Sequence, residues 1–418
     1  MDKIVILGAG IAGISACYHA KANGNNATCF EKNSTAGGLV GNFTVQGFRF
    51  DKAIHMSFTS NEYVKSLFEK TEYISHKPNA YCIENKKWFK HPIQNNLFPL
   101  ETDEKVKLIT SFVQRPDLDP ENYGEWLDHQ YGYEIANRYP RAYTYKYWGL
   151  SPEELSTTWI GNRMRRADIQ ELLLGAFEKK DENHYYATEM RYPKNGGYFE
   201  FVRSMAEECD IRLEKKASFI DPENHTVHFS DKSEEKYSKL ISTLPLPEVV
   251  KLLPNVPKEV EAAANSLLWT TIDLISIGFN KPDIPPHLWH YIYDSGNLAS
   301  RAHSPSLKSK NNAPEACSSI QFEIYNLSSK ERFDPQILKS NITEQLIKDG
   351  ICTKEDILFV HHKHIPYGNV VFDHDMEKRR DIVLAYLDSL EIKSCGRFGA
   401  WDYFWSDQSF INGMEAVT

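Results

Sequence analysis

The first apolar run, KIVIL at residues 3 to 7, is short and rich in β-branched side chains, and GAGIAG and then ISACYHAKANG follow at once. That order predicts a strand, a glycine turn and a helix. ATCFEKN reads as the next strand and brings Glu31 to its end. Between residues 213 and 250, strand-like stretches are joined by the turn sequences DPEN and SDKS, and the last of them, KLIST, stops before Pro245. From about 100 to 190 the pattern is helical, in EKVKLITSFVQ, NYGEWLDHQYG and SPEEL. In the last, Ser151 and Glu154 form a capping box with Pro152 at the first helical position. WTTIDLISIGFN (269 to 280), SSIQFEIY (318 to 325) and DILFVHHKH (356 to 364) have strand character and predict an antiparallel sheet, and RRDIVLAYLDSL (379 to 390) predicts a helix after it. KSKNNAPEA (308 to 316) is a polar loop, and no internal repeat or low-complexity tract appears.

The glycines give the first element its chemistry. Gly8 permits the tight turn, Gly10 lets a pyrophosphate approach the backbone, and Gly13 lets the helix pack on the strand, with the anion at the helix N-terminus. Glu31 stands where an acid binds the ribose hydroxyls of an adenosine, which disfavours a ribose phosphate, so FAD or NAD is expected rather than NADP. STAGGLVGN follows, with Gly37 and Gly38. Flavoproteins of the glutathione-reductase and amine-oxidase kind follow the ribose acid with such a pair, and this sequence is similar to theirs; a plain NAD domain is the competing reading. The expected fold class is α/β: a Rossmann-type FAD-binding domain with a helical insertion and an antiparallel sheet domain. The FAD-binding domain is expected from 1–78, 190–262 and 380–418, the helical substrate-side insertion from 100–189, and the sheet substrate domain from 79–99 and 263–379.

Length and charge narrow the function. At 418 residues the chain is too long for one ordinary core, so two or three units are expected. A formal net charge of -9 argues against a nucleic-acid partner, which needs a basic field. Seven scattered cysteines, none spaced as CxxC, fit reduced thiols in the cytoplasm better than a disulfide frame or zinc site. The glycine-interrupted start predicts neither a cleaved leader nor a membrane span. His361, His362 and His364 invite a metal reading, since alternate residues on a strand share a face. No carboxylate or cysteine stands at a partnering spacing, so no metal site is expected.

The closing stretch, GRFGAWDYFWSDQSFINGMEAV, resembles the C-terminal flavin motif of UDP-galactopyranose mutases, chiefly the eukaryotic-type enzymes and their bacterial relatives. Further blocks resemble that family in order: FRFDKAIHMSF (48 to 58), WFKHPIQNN (88 to 96), KYWGLSPEELSTTWIGNRM (146 to 164), RYPKNGG (191 to 197) and WHYIYDSGNLASR (289 to 301). The resemblance implies an isomerase that interconverts pyranose and furanose forms of a nucleotide-diphosphate sugar for surface polysaccharide synthesis. FAD would act in its reduced form, its N5 attacking the anomeric carbon with no net redox change.

Residue by residue, the resemblance implies Arg163 and Arg301 as the diphosphate clamp, with Tyr291, Tyr367 and Tyr403 donating to the same oxygens. It places His55 beside the flavin, Trp148 in the wall of the sugar pocket and Gln94 towards the nucleoside. Arg397, Asp407 and Gly413 would hold FAD together with Gly8, Gly10, Gly13, Glu31 and Gly38. Gly413 would open a helix of about one turn before Thr418. Implied partners are a reductant such as NAD(P)H and a second copy in a homodimer, with no membrane. Three segments depart from the family. Ala53 and Ile54 replace a glycine pair before the histidine, His91 and Ile93 replace aromatics beside the proline, and a tyrosine is missing from AHSPSLKSK. These departures leave the sugar and the base open. Plain readings compete at each site: a solvated basic helix face for Arg163, an interior histidine for His55, and core packing for Tyr147 and Trp148. The alternative function is an FAD-dependent oxidoreductase of the amine-oxidase or protoporphyrinogen-oxidase type.

Overall fold

The computed structural model describes residues 3–161, 164, 168–179 and 188–418. Its first sheet is parallel, in the order Ile392–Ser394, Lys239–Ser242, Lys3–Leu7, Asn26–Phe30, Asp210–Arg212. The central strand Lys3–Leu7 is almost wholly buried, which is why it reads as a continuous apolar run without alternation. The predicted meander is present as an antiparallel sheet of Ala217–Asp221, Thr226–Phe229 and Glu234–Lys236. KLIST then becomes the strand that pairs with Lys3–Leu7 and returns the chain to the glycine turn.

The second large sheet has seven strands, in the order Ile357–Val370, Trp269–Phe279, Ser318–Leu327, Arg301–His303, Trp289–Ile292, Ala80–Glu84, Lys87–Lys90. It is antiparallel except where Trp289–Ile292 runs parallel to Ala80–Glu84. That pairing departs from the antiparallel expectation because the whole helical insertion separates the two strands. One face of the sheet is packed by the helix Pro335–Lys348 through Leu338, Ile342 and Leu346. The insertion consists of Thr102–Val113, Tyr123–Tyr131, Tyr133–Ala136, Ala142–Trp148 and Ile169–Phe177. Pro140 sits in a π turn, Asn137–Arg141, just before the helix Ala142–Trp148. SPEEL forms its capping box, yet only one 3₁₀ turn, Pro152–Glu154, because Leu155 turns extended and pairs with Asp373. Among the described residues no helix is long and apolar enough to cross a membrane.

Candidate active site

The glycine turn is built for an anion. Gly8 has φ +95°, a conformation side chains resist, and a Cβ on Gly13 would lie 1.9 Å from the Gly8 carbonyl oxygen. Around Gly10, by contrast, the nearest atom to an added Cβ is Gly38 Cα at 4.0 Å, so the backbone there is open to a ligand. The first helix, Ile11–Ala22, has no side-chain cap and no acid in its first turn, leaving its N-terminal amides for a phosphate. Gly37 donates its N–H to the Ala9 carbonyl at 2.7 Å and brings the second glycine pair against this turn. Glu31 is buried at the end of the second strand, where its carboxylate accepts from the backbone N–H of Ala9 at 2.9 Å and of Asn33 at 2.9 Å. The donor set fits a dinucleotide: room beside Gly10, free amides, and an oriented acid.

The C-terminal segment locks onto the same turn. Its helix runs from Ser406 to Glu415, so Gly413 does not open it but lies in its interior. The reason is packing: a Cβ on Gly413 would sit 2.1 Å from the Ala12 carbonyl oxygen of the first helix. Ser15 Oγ also donates to the Phe410 carbonyl at 2.6 Å. Asp407 stands in the first turn, and Ser406 Oγ lies 2.6 Å from the Tyr198 hydroxyl. Arg397 donates from Nε to the Phe404 carbonyl at 2.8 Å and from Nη1 to Asn369 Oδ1 at 3.3 Å, tying the 402–405 turn to the end of the longest strand.

That turn delivers Tyr403 into a cage of aromatic side chains around one arginine. The Tyr403 and Tyr147 hydroxyls are 2.8 Å apart, and the Trp148 ring packs against Tyr403 at 5.5 Å. Arg301 stacks its guanidinium over Tyr147 at 5.3 Å and donates from Nη2 to the Tyr325 hydroxyl at 2.9 Å. Its Nε is bonded to Glu323, whose side chain is fully buried. The Tyr325 hydroxyl donates to Glu323 Oε2 at 2.7 Å, and the Ile54 N–H donates to Glu323 Oε1 at 2.6 Å. Burial alone works against the Arg301 cation, but Glu323 overrides it and the net shift is well upward. Glu323 feels the same opposition, burial raising it and Arg301 lowering it, and ends below the usual carboxylate range. Tyr291 lies directly across the strand pair from Arg301, which explains why ten residues of sequence separate them. Its ring stacks on His91 at 4.4 Å.

The other expected residues are placed as follows. His55 packs tilted against Tyr198 at 5.1 Å, and its Nδ1–H donates to the Ala53 carbonyl at 3.2 Å. Burial pushes its pKa down to about 4, so the ring is neutral at physiological pH. Ala53, at a position where the resemblance implied glycine, holds φ +111° and keeps a glycine-like backbone with an alanine in it. Gln94 lies beside the Tyr131 hydroxyl in the insertion, where it partly offsets the upward push of burial on that group's pKa. Tyr367 stands apart from the cage contacts above; its ring stacks on Trp269 at 4.9 Å and its hydroxyl donates to Glu248 at 2.9 Å. Arg163 lies outside the described residues.

Sequence reasoning missed Glu323 and Tyr325, although Gln321, Glu323 and Tyr325 alternate through SSIQFEIY and mark one polar face of a buried strand. The buried ion pair of Asp51 and Lys308 at 3.4 Å, with Tyr192 donating to Asp51 at 2.8 Å, was also unmarked. The histidine cluster does have a carboxylate partner. Asp273, on the neighbouring strand, accepts from His362 at 2.7 Å and His364 at 2.9 Å. Among the described residues no group of His, Cys, Asp and Glu is arranged to hold a metal.

Residues 6–71 match the family of NAD(P)-binding Rossmann-like domains. A crystal structure of reduced UDP-galactopyranose mutase superposes with a TM-score of 0.93 and 25% identity, covering 100% of this chain and 95% of that one. A structure described as a protoporphyrinogen oxidase from Exiguobacterium sp. 255-15 superposes at 0.76 with 16% identity, covering 100% and 98%, and shows the shared fold alone. Among curated proteins, a 4,4'-diapophytoene desaturase of Staphylococcus haemolyticus is 34% identical over 86 residues, 19% of this chain and only 17% of that relative's length. These likenesses imply a flavin cofactor.

Proposed function

We propose that this chain, a UDP-galactopyranose mutase-like flavoprotein by its fold, is an FAD-dependent sugar-nucleotide mutase interconverting pyranose and furanose rings without net redox change. The observation that carries the reading is Arg301, a cation held by Glu323 and Tyr325 inside a tyrosine-lined cage reached by Tyr403 from the nucleotide-binding side. A planar guanidinium fixed in this way binds two diphosphate oxygens at once.

Arg301 and Arg163 grip the diphosphate as it departs, and Tyr291 and Tyr403 donate hydroxyl hydrogens to it. Tyr367 joins them on leaving Glu248. Trp148 walls the sugar pocket, and Gln94 faces the nucleoside. The Gly8–Gly13 turn, Gly38, Glu31, Arg397 and the Asp407–Gly413 segment hold FAD. Bound and reduced, the flavin would supply the nucleophile that displaces the diphosphate from the anomeric carbon. His55, neutral and with Nδ1–H committed to Ala53, orients its Nε2 lone pair without adding charge to the flavin pocket. A reductant such as NAD(P)H, a homodimer, a cytoplasmic location and a role in surface polysaccharide synthesis complete the proposal.

The alternative is an FAD-dependent oxidoreductase, favoured by the desaturase match. It needs no phosphate-binding arginine among tyrosines. Incubating the purified yellow protein with UDP-galactofuranose and other nucleotide sugars, with and without dithionite, separates the two. Product only in the reduced sample supports the mutase; substrate-dependent oxygen consumption in the oxidised sample supports the oxidoreductase and sinks it.

A further inference from the structure

Lys146 sits on the helix Ala142–Trp148 between the cage residue Tyr147 and Tyr143, which stacks on it at 5.6 Å, and among the described residues no carboxylate oxygen is bonded to the Lys146 ammonium. Its ammonium is instead surrounded by backbone carbonyls, donating to Ile292 at 3.1 Å, Asp294 at 2.6 Å and Ala299 at 3.3 Å. Those three carbonyls bracket the loop that joins the strand of Tyr291 to the strand of Arg301. Ser300, at the end of the loop, donates its N–H to the Glu323 carbonyl at 3.0 Å, and Arg301 is the next residue.

We propose that Lys146 is a positioning residue for diphosphate binding: its protonated ammonium closes the 293–299 loop around itself and so fixes Arg301 against the aromatic helix. The inference rests on the reading of Arg301 as the diphosphate clamp. An ammonium has three donors and no acceptor, matching three carbonyls. A neutral amine has two donors and a lone pair, so one carbonyl loses its partner and faces a lone pair instead.

Burial lowers the Lys146 pKa to about 8, with Asp294 opposing the shift. The groups facing it behave differently. Burial pushes Tyr143 on its own helix, Tyr293 on the loop and Tyr325 on the strand behind well above their usual value. Arg301 stays charged and Glu323 stays ionised, and Tyr147 and Asp294 complete the set. Lys146 is therefore the group whose charge changes as the pH rises through about 8. The clamp is closed below that pH and loosens above it.

The test is UDP binding to the flavin-loaded protein, by calorimetry from pH 7 to pH 9.5, with circular dichroism to show that each sample is folded. The wild type should lose about tenfold in affinity across the range, the size of an ordinary coupling between two sites. By reciprocity it should take up protons when UDP binds near pH 8. Lys146→Arg, which keeps the charge, should flatten the profile at high affinity, and Lys146→Met should flatten it at low affinity. A wild-type affinity independent of pH, or a Lys146→Met profile that still falls with rising pH, would overturn the positioning role while leaving the clamp standing. Folded wild type that does not bind UDP at pH 7 would overturn the clamp reading, and this inference with it.

Discussion

Glu323→Ala is the most informative single perturbation, because one buried carboxylate accepts from Arg301, from the Tyr325 hydroxyl and from the Ile54 N–H. Its side chain has 0% exposure and that of Arg301 20%, so deletion leaves a cation that water cannot easily reach. Breaking a buried pair by removing one partner costs about 3–5 kcal/mol. The unpaired Ile54 N–H adds to this, since an unsatisfied buried donor costs about 1–3 kcal/mol. Arg301→Met strands the carboxylate instead and should cost a similar amount. In the double variant neither charge is left unpaired, so the two losses should fall short of adding by about 2 kcal/mol or more. Urea unfolding followed by far-ultraviolet circular dichroism measures all three, with midpoint shifts compared at a shared slope. Because the Glu323 pKa is depressed in the folded state, its contribution is present at neutral pH. It is lost as the pH falls below the usual carboxylate range. A single-variant loss under about 1 kcal/mol, or strict additivity in the double, would mean that the pair is not the closed, water-excluded unit described above.

Three further outcomes are expected. Gly413→Ala places a methyl 2.1 Å from the Ala12 carbonyl oxygen, so the last helix must lift from the first. That overpacking should cost about 3 kcal/mol and loosen flavin retention, read by thermal melting and by flavin release on gel filtration. Ala53→Gly removes the strain of φ +111°, roughly 1–3 kcal/mol, against about 0.5–1 kcal/mol of added backbone entropy, so the melting temperature should rise. A fall would show that the lost methyl packing matters more. Burial holds His290 at about 3 and His303 well below its usual value, and both are neutral in the fold. The unfolded chain protonates them below about pH 6.5, so stability should drop as pH falls, by about 2 kcal/mol for each at pH 5. Equal urea midpoints at pH 7 and pH 5 would contradict this.

Which features could be read from the sequence follows the range over which each is encoded. Gly8, Gly13 and Glu31 were legible because strand, turn and helix are contiguous and each residue's task is local. Tyr291 and Arg301 came as a pair from the resemblance alone, and the short connection that places them in register on adjacent strands accounts for their spacing. The partnership of Asp273 with His362 and His364 was not, because it depends on a strand register set about ninety residues away. The last helix was misplaced for a different reason. Gly413 was expected to open the helix, as implied by the resemblance, but it lies within one, and its missing side chain lets two helices touch. The true start is marked by Gln408, whose side chain accepts from the Trp405 N–H at 2.8 Å.

The placement of so many aromatic and polar residues at the far end of the chain follows from what the first motif lacks. The first helix offers its amides to a phosphate but cannot enclose one, since its N-terminus faces an open glycine turn. The C-terminal helix covers its flank through Gly413 on Ala12 and Phe410 on Ser15. The turn before it, fixed by Arg397, carries Tyr403 across to Tyr147 and Trp148 on the insertion. One segment therefore joins the nucleotide turn to the arginine cage. Movement of that segment should change both together, which is why the Gly413→Ala test reads flavin retention as well as stability. If Gly413→Ala lowered stability and left flavin binding and UDP affinity untouched, the segment would be a packing element only. The two halves of the site would then be assembled independently.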